Sequence, residues 1–366
     1  TLVFALFSLG PLLQINGRSI FDLDGLAVNV PLPFILLHYI PVVKANRVPN
    51  RFSVVLMLGL AVLAGFGAYW LLTKLRRSKL LLAAGCVLLA LLLVLEHWSV
   101  PRPLTDAQIP EAFEQVASEP GDFAILQLPM GWRNSFGVQG AENTQTQFYQ
   151  TYHQTRLLSG NISRNPPFKF DYFRRVPILD SLVTLQTYGK VDDVRRSADQ
   201  AGAGEFVGFY DLRYVVVAPG IPGRPPYVDT RDAVVTYVEE VLPVERVYDE
   251  GGWLLYRIEQ PTLPLDLTVD VGSADSLATM ALGEGWSGAE EIQGATARWA
   301  VEQVARAFLP STGGKAYRLT LTALPFDYPG AREQWVDLRV NGHQLAWDHT
   351  MSRGWGDYAW DVPAQF

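Results

Sequence analysis

Two long apolar runs dominate the first hundred residues. Phe52 to Thr73 carries no charged side chain, and Leu80 to Leu95 is almost pure Leu, Ala and Val. A helix of about 20 residues crosses the hydrocarbon core of a bilayer. Helices packed inside water-soluble proteins usually keep a polar face. Neither run has one, so both are predicted to span a membrane rather than form a buried hairpin. His97 and Trp98 extend the second run to headgroup level. Between the runs lies KLRRSK, residues 74–79, a tight basic turn. The opening TLVFALFSLGPLL lacks a basic leader and a small-residue cleavage site, so it reads as the tail of a further helix.

Beyond Trp98 the pattern changes. PEAFEQVA (110–117) starts with proline and carries Glu in its first turn, which predicts a helix. FAILQLP (123–129), DLRYVVVAPG (211–220) and GWLLYRIE (252–259) predict short strands, the last after a Gly-Gly turn. TRDAVVTYVEEVL (230–242) predicts an amphipathic helix. Residues 101–260 therefore read as a small α/β domain. From residue 261 to 366 the period is two. YRLTLTAL (317–324) and WVDLRVNG (335–342) alternate apolar and polar, Asn341-Gly342 is a hairpin turn leading into HQLAW, and GWGDYAWDV supplies a further strand. The expectation is a jelly-roll-like β-sandwich lacking its closing strands. In outline, residues 1–100 are a transmembrane segment with an outer loop over 14–50, followed by two domains on the far side.

Charge divides the chain at the same place. Residues 1–100 hold eight Lys and Arg against three Asp and Glu, a surplus of five. With −7 over the whole chain, residues 101–366 stand at −12. Bulk charge of that sign excludes nucleic acid as a partner of the second part. Membrane lipids are the expected partner of the first. By the positive-inside rule the KLRRSK turn is cytoplasmic, which puts 14–50 and 101–366 outside. One cysteine, Cys86, rules out an intrachain disulfide or a cysteine-based metal cluster.

HExxH, P-loop, GxSxG and CxxC motifs are all absent. GAGEFVG (202–208) imitates a dinucleotide fingerprint but has the wrong spacing. Four groups of residues merit weighing. Lys44, Arg47 and Arg51 precede the first spanning run, with Pro41 and Pro49 keeping the approach non-helical. They read either as snorkelling anchors or as a phosphate site. In FDLDG (21–25), Asp22 and Asp24 have the spacing to hold a divalent metal ion; acids in turns more often cap the backbone. The stretch 129–156 and the SGNISRNPP after it are rich in amides and aromatics. There Trp132, Arg133, Gln147, Tyr152, His153 and Arg164 suit sugar hydroxyls and C–H faces, unless they simply pack a polar helix. Trp286 and Trp299 read as a sugar-stacking pair or as core.

LFSLGPLLQINGR, PLPFILLHYIPVVKANRVPNRF and LGLAVLAGFGAYWLL, taken in order, resemble the C-terminal membrane portion of bacterial multi-pass GT-C-type glycosyltransferases. The features that carry this are Leu-Gly-Pro, a Pro-Leu-Pro loop, Arg-x-Pro-x-Arg-Phe and a Leu-Ala-Gly step. GWSGAEE through GWGDYAWDVPA resembles a β-sandwich that follows the last helices in relatives. The resemblance implies sugar transfer from a polyprenyl-phosphate donor to a cell-envelope glycan acceptor, outside a bacterial plasma membrane. It implies that Arg47, Arg51 and His38 face the donor phosphate. The family's catalytic acid lies in a first outer loop that this sequence does not contain. This chain would then be an inactive fragment of the enzyme. The alternative is a non-catalytic, membrane-anchored glycan-binding or envelope-assembly protein.

Overall fold

The computed structural model describes residues 1–15, 19–24, 26–40, 48–98, 107–134, 137–141, 143–162, 165–223, 225–259, 261 and 266–366. The chain forms two compact units, Thr1–Asp106 and Ala107–Phe366.

The first unit begins with helix α1 (Leu2–Ser8) and a short antiparallel pair, β1 (Phe21–Leu23) with β2 (Leu26–Val28). Between them the chain doubles back. Leu12 bridges Pro31, and the Leu32 amide donates 2.8 Å to the Pro11 carbonyl. A 3-10 segment, Pro33–Tyr39, follows, and a 3-10 turn, Pro49–Arg51, leads into helix α2 (Phe52–Leu75). Helix α3 (Lys79–His97) completes the hairpin, with the Ser78 hydroxyl accepting from the Leu81 amide as its N-cap. At 1.5 Å per residue, α2 is about 36 Å long and α3 about 28 Å, against about 30 Å of hydrocarbon. Both are long and apolar enough to cross a membrane, and no side chain of either spanning window is buried. Lys74 places its ammonium 3.9 Å from the centroid of the Trp70 ring, at the end of α2 nearest the basic turn.

The second unit is built on a five-stranded mixed sheet. Its elements run α4 (Ala112–Ser118), β3 (Ala124–Leu128), β4 (Gly131–Arg133), β5 (Val138–Gly140), α5 (Gln145–His153), β6 (Arg156–Leu157), β7 (Gly160–Asn161), α6 (Pro167–Arg175), α7 (Pro177–Tyr188), α8 (Asp193–Phe209), β8 (Leu212–Val217), α9 (Tyr227–Val241), β9 (Val244–Glu250) and β10 (Trp253–Ile258). The strand order is β6-β3-β8-β10-β9; the first two pairings are parallel and the last two antiparallel. Every residue of β3 is buried, because helices cover both faces. Phe113 and Val116 of α4 and Tyr149 of α5 pack on Ile125, Val216 and Leu255. On the other face Leu182, Phe206, Val234 and Val238 pack on Leu126, Leu128, Val215 and Tyr256. Gly251 and Gly252, both at positive φ, close the two-residue turn from β9 to β10.

The strand alternation over 317–362 produces the expected strands but not a continuous sandwich. Helix α10 (Ser276–Ala281), capped by Asp275, precedes a hairpin of β11 (Glu290–Ile292) and β12 (Ala295–Ala297). Then β13 (Tyr317–Ala323) pairs with β16 (Gly356–Val362), while β14 (Trp335–Val340) pairs with β15 (His343–Thr350). Each sheet has two strands. The β14–β15 hairpin is nested in sequence between the outer pair, and His349 sets its ring 5.4 Å and 5.2 Å, edge-on, from Tyr358 and Trp360. Asn341 and Gly342 both have positive φ, as the two-residue turn requires. Of the β-sandwich expected from the sequence, the described residues show the strands, paired as three two-stranded ribbons with no wider hydrogen-bonded sheet joining them. Period-two alternation specifies a strand and its buried side, but not how many neighbours it pairs with.

Candidate functional site

The crossover through α5 lies on one face of the sheet and the crossover through α6, α7 and α8 on the other. The connection leaving β3 runs through α5 to one edge of the sheet and the one leaving β8 runs through α9, on the opposite face, to the other edge, so the carboxyl ends of β3 and β8 form a topological switch point. Open α/β sheets bind ligands there. Here protein groups close it. The Ala218 amide donates 2.7 Å to the Leu128 carbonyl, and the Tyr227 hydroxyl and Arg231 Nε both donate 3.0 Å to the Ala218 carbonyl. Gln186 Oε1 accepts from the Met130 amide at 2.5 Å. Two further amides, Gln127 and Gln139, are buried without a hydrogen-bond partner.

The amide-rich stretch 129–156 forms β4, β5 and α5, and β4 and β5 join β7 in a second, three-stranded sheet. Its candidates divide. Trp132 is buried, stacked 4.0 Å from Phe173, with Nε1 donating 2.8 Å to the Leu158 carbonyl. Its ring is spent on packing. His153 is buried too, stacked 5.3 Å from Phe113. Its Nδ1 accepts from the Thr155 amide at 3.1 Å and contacts the Thr155 hydroxyl, which places the neutral ring's proton on Nε2. Burial holds its pKa at about 4, so it is uncharged at neutral pH. Gln147 is half-buried and donates 3.2 Å to the Asn161 carbonyl. Arg133 and Tyr152 are exposed. Arg164 lies outside the described residues.

In the first unit, Arg51 is exposed at the end of the Pro49–Arg51 turn. The next residue, Phe52, is clamped by Phe7, Phe34 and Phe4 at ring distances of 5.5, 5.9 and 6.1 Å. This clamp fixes where Arg51 sits relative to the start of α2. His38 lies in the 3-10 segment Pro33–Tyr39; Arg47 lies outside the described residues. Asp22 and Asp24 are exposed, on β1 and in the turn after it, with Asp24 at positive φ. No group of three or more His, Cys, Asp or Glu able to hold a metal ion occurs among the described residues.

Trp286 and Trp299 do not form a pair. Trp286 bridges Ala300, so the neighbouring Trp299 points to the opposite side of that ribbon. Trp286 donates from Nε1 to the Arg306 carbonyl at 2.8 Å; Trp299 donates to Glu290 at 3.2 Å and packs edge-on, 5.6 Å from Phe326. Phe326 and its neighbour Tyr328 are exposed.

Sequence reasoning missed one polar cluster. Ser181, Asp199 and Tyr237, all buried, meet between α7, α8 and α9. The Ser181 and Tyr237 hydroxyls donate to Asp199 Oδ2 at 2.5 and 2.7 Å. Burial, and then the Asp199 hydrogen bond, push the Tyr237 hydroxyl's pKa up. The cluster has no exposed member, so it locks three helices rather than meeting a substrate. At the opposite, amino end of β8, Glu119 accepts from the Tyr214 hydroxyl at 2.6 Å and pairs with Arg213 and Arg257.

No family model matches the chain, and no significant match occurs among curated proteins or solved structures.

Proposed function

We propose that this chain is the membrane-anchored C-terminal part of a GT-C-type glycosyltransferase-like protein. It would take sugar from a polyprenyl-phosphate donor to a cell-envelope acceptor. In this reading the α2–α3 hairpin crosses a bacterial plasma membrane with its basic turn inside, and the Ala107–Phe366 unit lies outside. The observation that carries the reading is the placement of Arg51. Aromatic packing fixes Phe52, the first residue of a 24-residue apolar helix, and the exposed Arg51 directly precedes it. A lipid phosphate lies at that depth of a bilayer, and guanidinium forks bind phosphate in two-point geometry. Arg47 and His38 are the proposed companions. No step of the transfer is assigned to a residue of this chain.

The test uses the intact protein in membranes. Arg47→Ala with Arg51→Ala is expected to weaken binding of a polyprenyl-phosphate sugar by about tenfold or more, the equivalent of about 1.4 kcal/mol. Membrane abundance should stay unchanged. Unaltered binding, or binding that falls only in step with abundance, would favour simple anchoring.

A second reading, a non-catalytic anchored protein that binds envelope glycans, is favoured by the exposed aromatic rings of the C-terminal ribbons. Phe326, Tyr328, Trp335 and Trp347 are each more than half exposed.

A further inference from the structure

The β14–β15 ribbon has two unlike faces. Val336, Leu338 and Val340 are half-buried on one; Trp335, Asp337 and Arg339 stand exposed on the other. The pairing register shifts between Val336 and Leu338, where the partners are His349 and Ala346. Trp347 and Asp348 thus oppose Asp337 alone, which is a β-bulge. Asp348 takes positive φ there, and its amide donates 2.9 Å to Asp337 Oδ1. The bulge leaves Trp347 66% exposed, on the same ribbon as Trp335 at 63%. Arg339, paired with Gln344 in the register, lies beside Trp347 on the side away from Trp335: its Nε donates 2.8 Å to Gln344 Oε1, and its guanidinium lies 5.9 Å from the centroid of the Trp347 ring.

We infer that this face is a binding platform for a linear glycan of pyranose units, formed by Trp335, Asp337, Arg339 and Trp347. The polar groups decide the occupant. A covering strand or a second copy of the chain would bury a carboxylate and a guanidinium in a dry interface, at a cost of several kcal/mol per ion before pairing. A sugar instead offers C–H faces to the two indoles and hydroxyls that donate to Asp337 and accept from Arg339. The bulge and the Gln344 contact set these groups before binding, which lowers the ordering cost. The indole rings lie on two strands, Trp335 opposite Thr350 and Trp347 at the level of Asp337, so they occupy different positions along the ribbon. An extended oligosaccharide fits better than a monosaccharide. Neither ring is one of Trp286 and Trp299, the tryptophans that the sequence pattern brought forward.

This inference deepens the glycan-binding reading and does not rest on the transferase reading. The test is calorimetric titration of the whole chain in detergent with cellohexaose, maltohexaose and mannohexaose. The wild type is expected to bind at least one of these. Trp335→Ala and Trp347→Ala should each weaken that binding by about tenfold, Arg339→Met should weaken it less, and Trp299→Ala should leave it unchanged. The three substituted platform side chains, Trp335, Arg339 and Trp347, are exposed, so thermal unfolding should not move. Absence of binding to all three sugars would overturn the platform and the glycan-binding reading together. Binding that survives both tryptophan substitutions would overturn the platform alone. A change of oligomeric state in Trp347→Ala, without a change in sugar affinity, would identify the face as an interface between copies and overturn the inference.

Discussion

The Tyr210 hydroxyl lies 2.8 Å from the Tyr172 hydroxyl, which in turn donates 2.7 Å to the Met280 carbonyl. This relay runs from the end of α8 through α6 to α10, and so ties the α/β core to the segment that leads into the C-terminal ribbons. Phe308 packs edge-on against the same Tyr172 ring at 5.3 Å, and Arg175 donates to the Leu282 and Gly283 carbonyls beside it. Burial raises the Tyr172 pKa to about 12, so the hydroxyl keeps its proton as a donor at every physiological pH.

Tyr172→Phe should therefore destabilise the second unit by about 1–3 kcal/mol, because it leaves the Met280 carbonyl and the Tyr210 hydroxyl without their buried partner. Tyr210→Phe removes only the outer donor and should cost less. Urea unfolding followed by tryptophan fluorescence, with both variants compared to wild type, checks the order. Equal and negligible effects would show that the relay does not hold the two parts together.

His153 gives the second unit a pH dependence with a defined sign. Its folded pKa of about 4 lies below the ordinary value of 6.5. Above pH 6.5 the ring is neutral both folded and unfolded, and its contribution is fully present. As pH falls from 6.5 toward 4, the unfolded chain takes up the proton first, and stability is lost. His153→Phe keeps a ring to stack on Phe113 and removes the titration. Unfolding at pH 7, 5.5 and 4 should show a shallower decline for the variant than for wild type. Parallel declines would mean that other groups carry the acid sensitivity.

What the sequence reveals depends on whether a local pattern or a distant partner decides the outcome. Helices α2 and α3 were legible because an uncharged run of that length has few alternatives. Strands β3, β8 and β10, helices α4 and α9, and the Asn341-Gly342 turn followed from period and turn chemistry. Helices α6, α7 and α8 did not. Their apolar faces are broken by Arg174, Arg175, Asp180 and Arg195, and by Gly202 and Gly204, and burial in the fold overrides this composition. Arg195, for one, is spent on Asp180 at 2.5 Å.

The candidate site was less legible for the same reason. Trp132 and His153 stand among amides, like sugar-contacting residues, yet Phe173 and Phe113 take their faces. Nothing local distinguishes a ring with a partner from one without. Trp335 and Trp347 sit in plain period-two sequence, and it is their exposure in the fold that shows both remain uncovered. A signal was present nonetheless: a tryptophan on the polar side of an alternating strand, as Trp335 is with Asp337 and Arg339, stands on the solvent face.

In the proposed topology the α2–α3 hairpin crosses a membrane, with the Arg51 segment and the Ala107–Phe366 unit on the same, outer side. Single cysteines test it most directly, in a Cys86→Ser background of the intact protein expressed in cells. A membrane-impermeant maleimide should label Asn50→Cys and Ser311→Cys in intact cells, and Ser78→Cys only after the membrane is opened. Labelling of Ser78→Cys alone in intact cells would invert the topology and remove the cations from the donor side. Equal labelling of all three would contradict membrane crossing altogether.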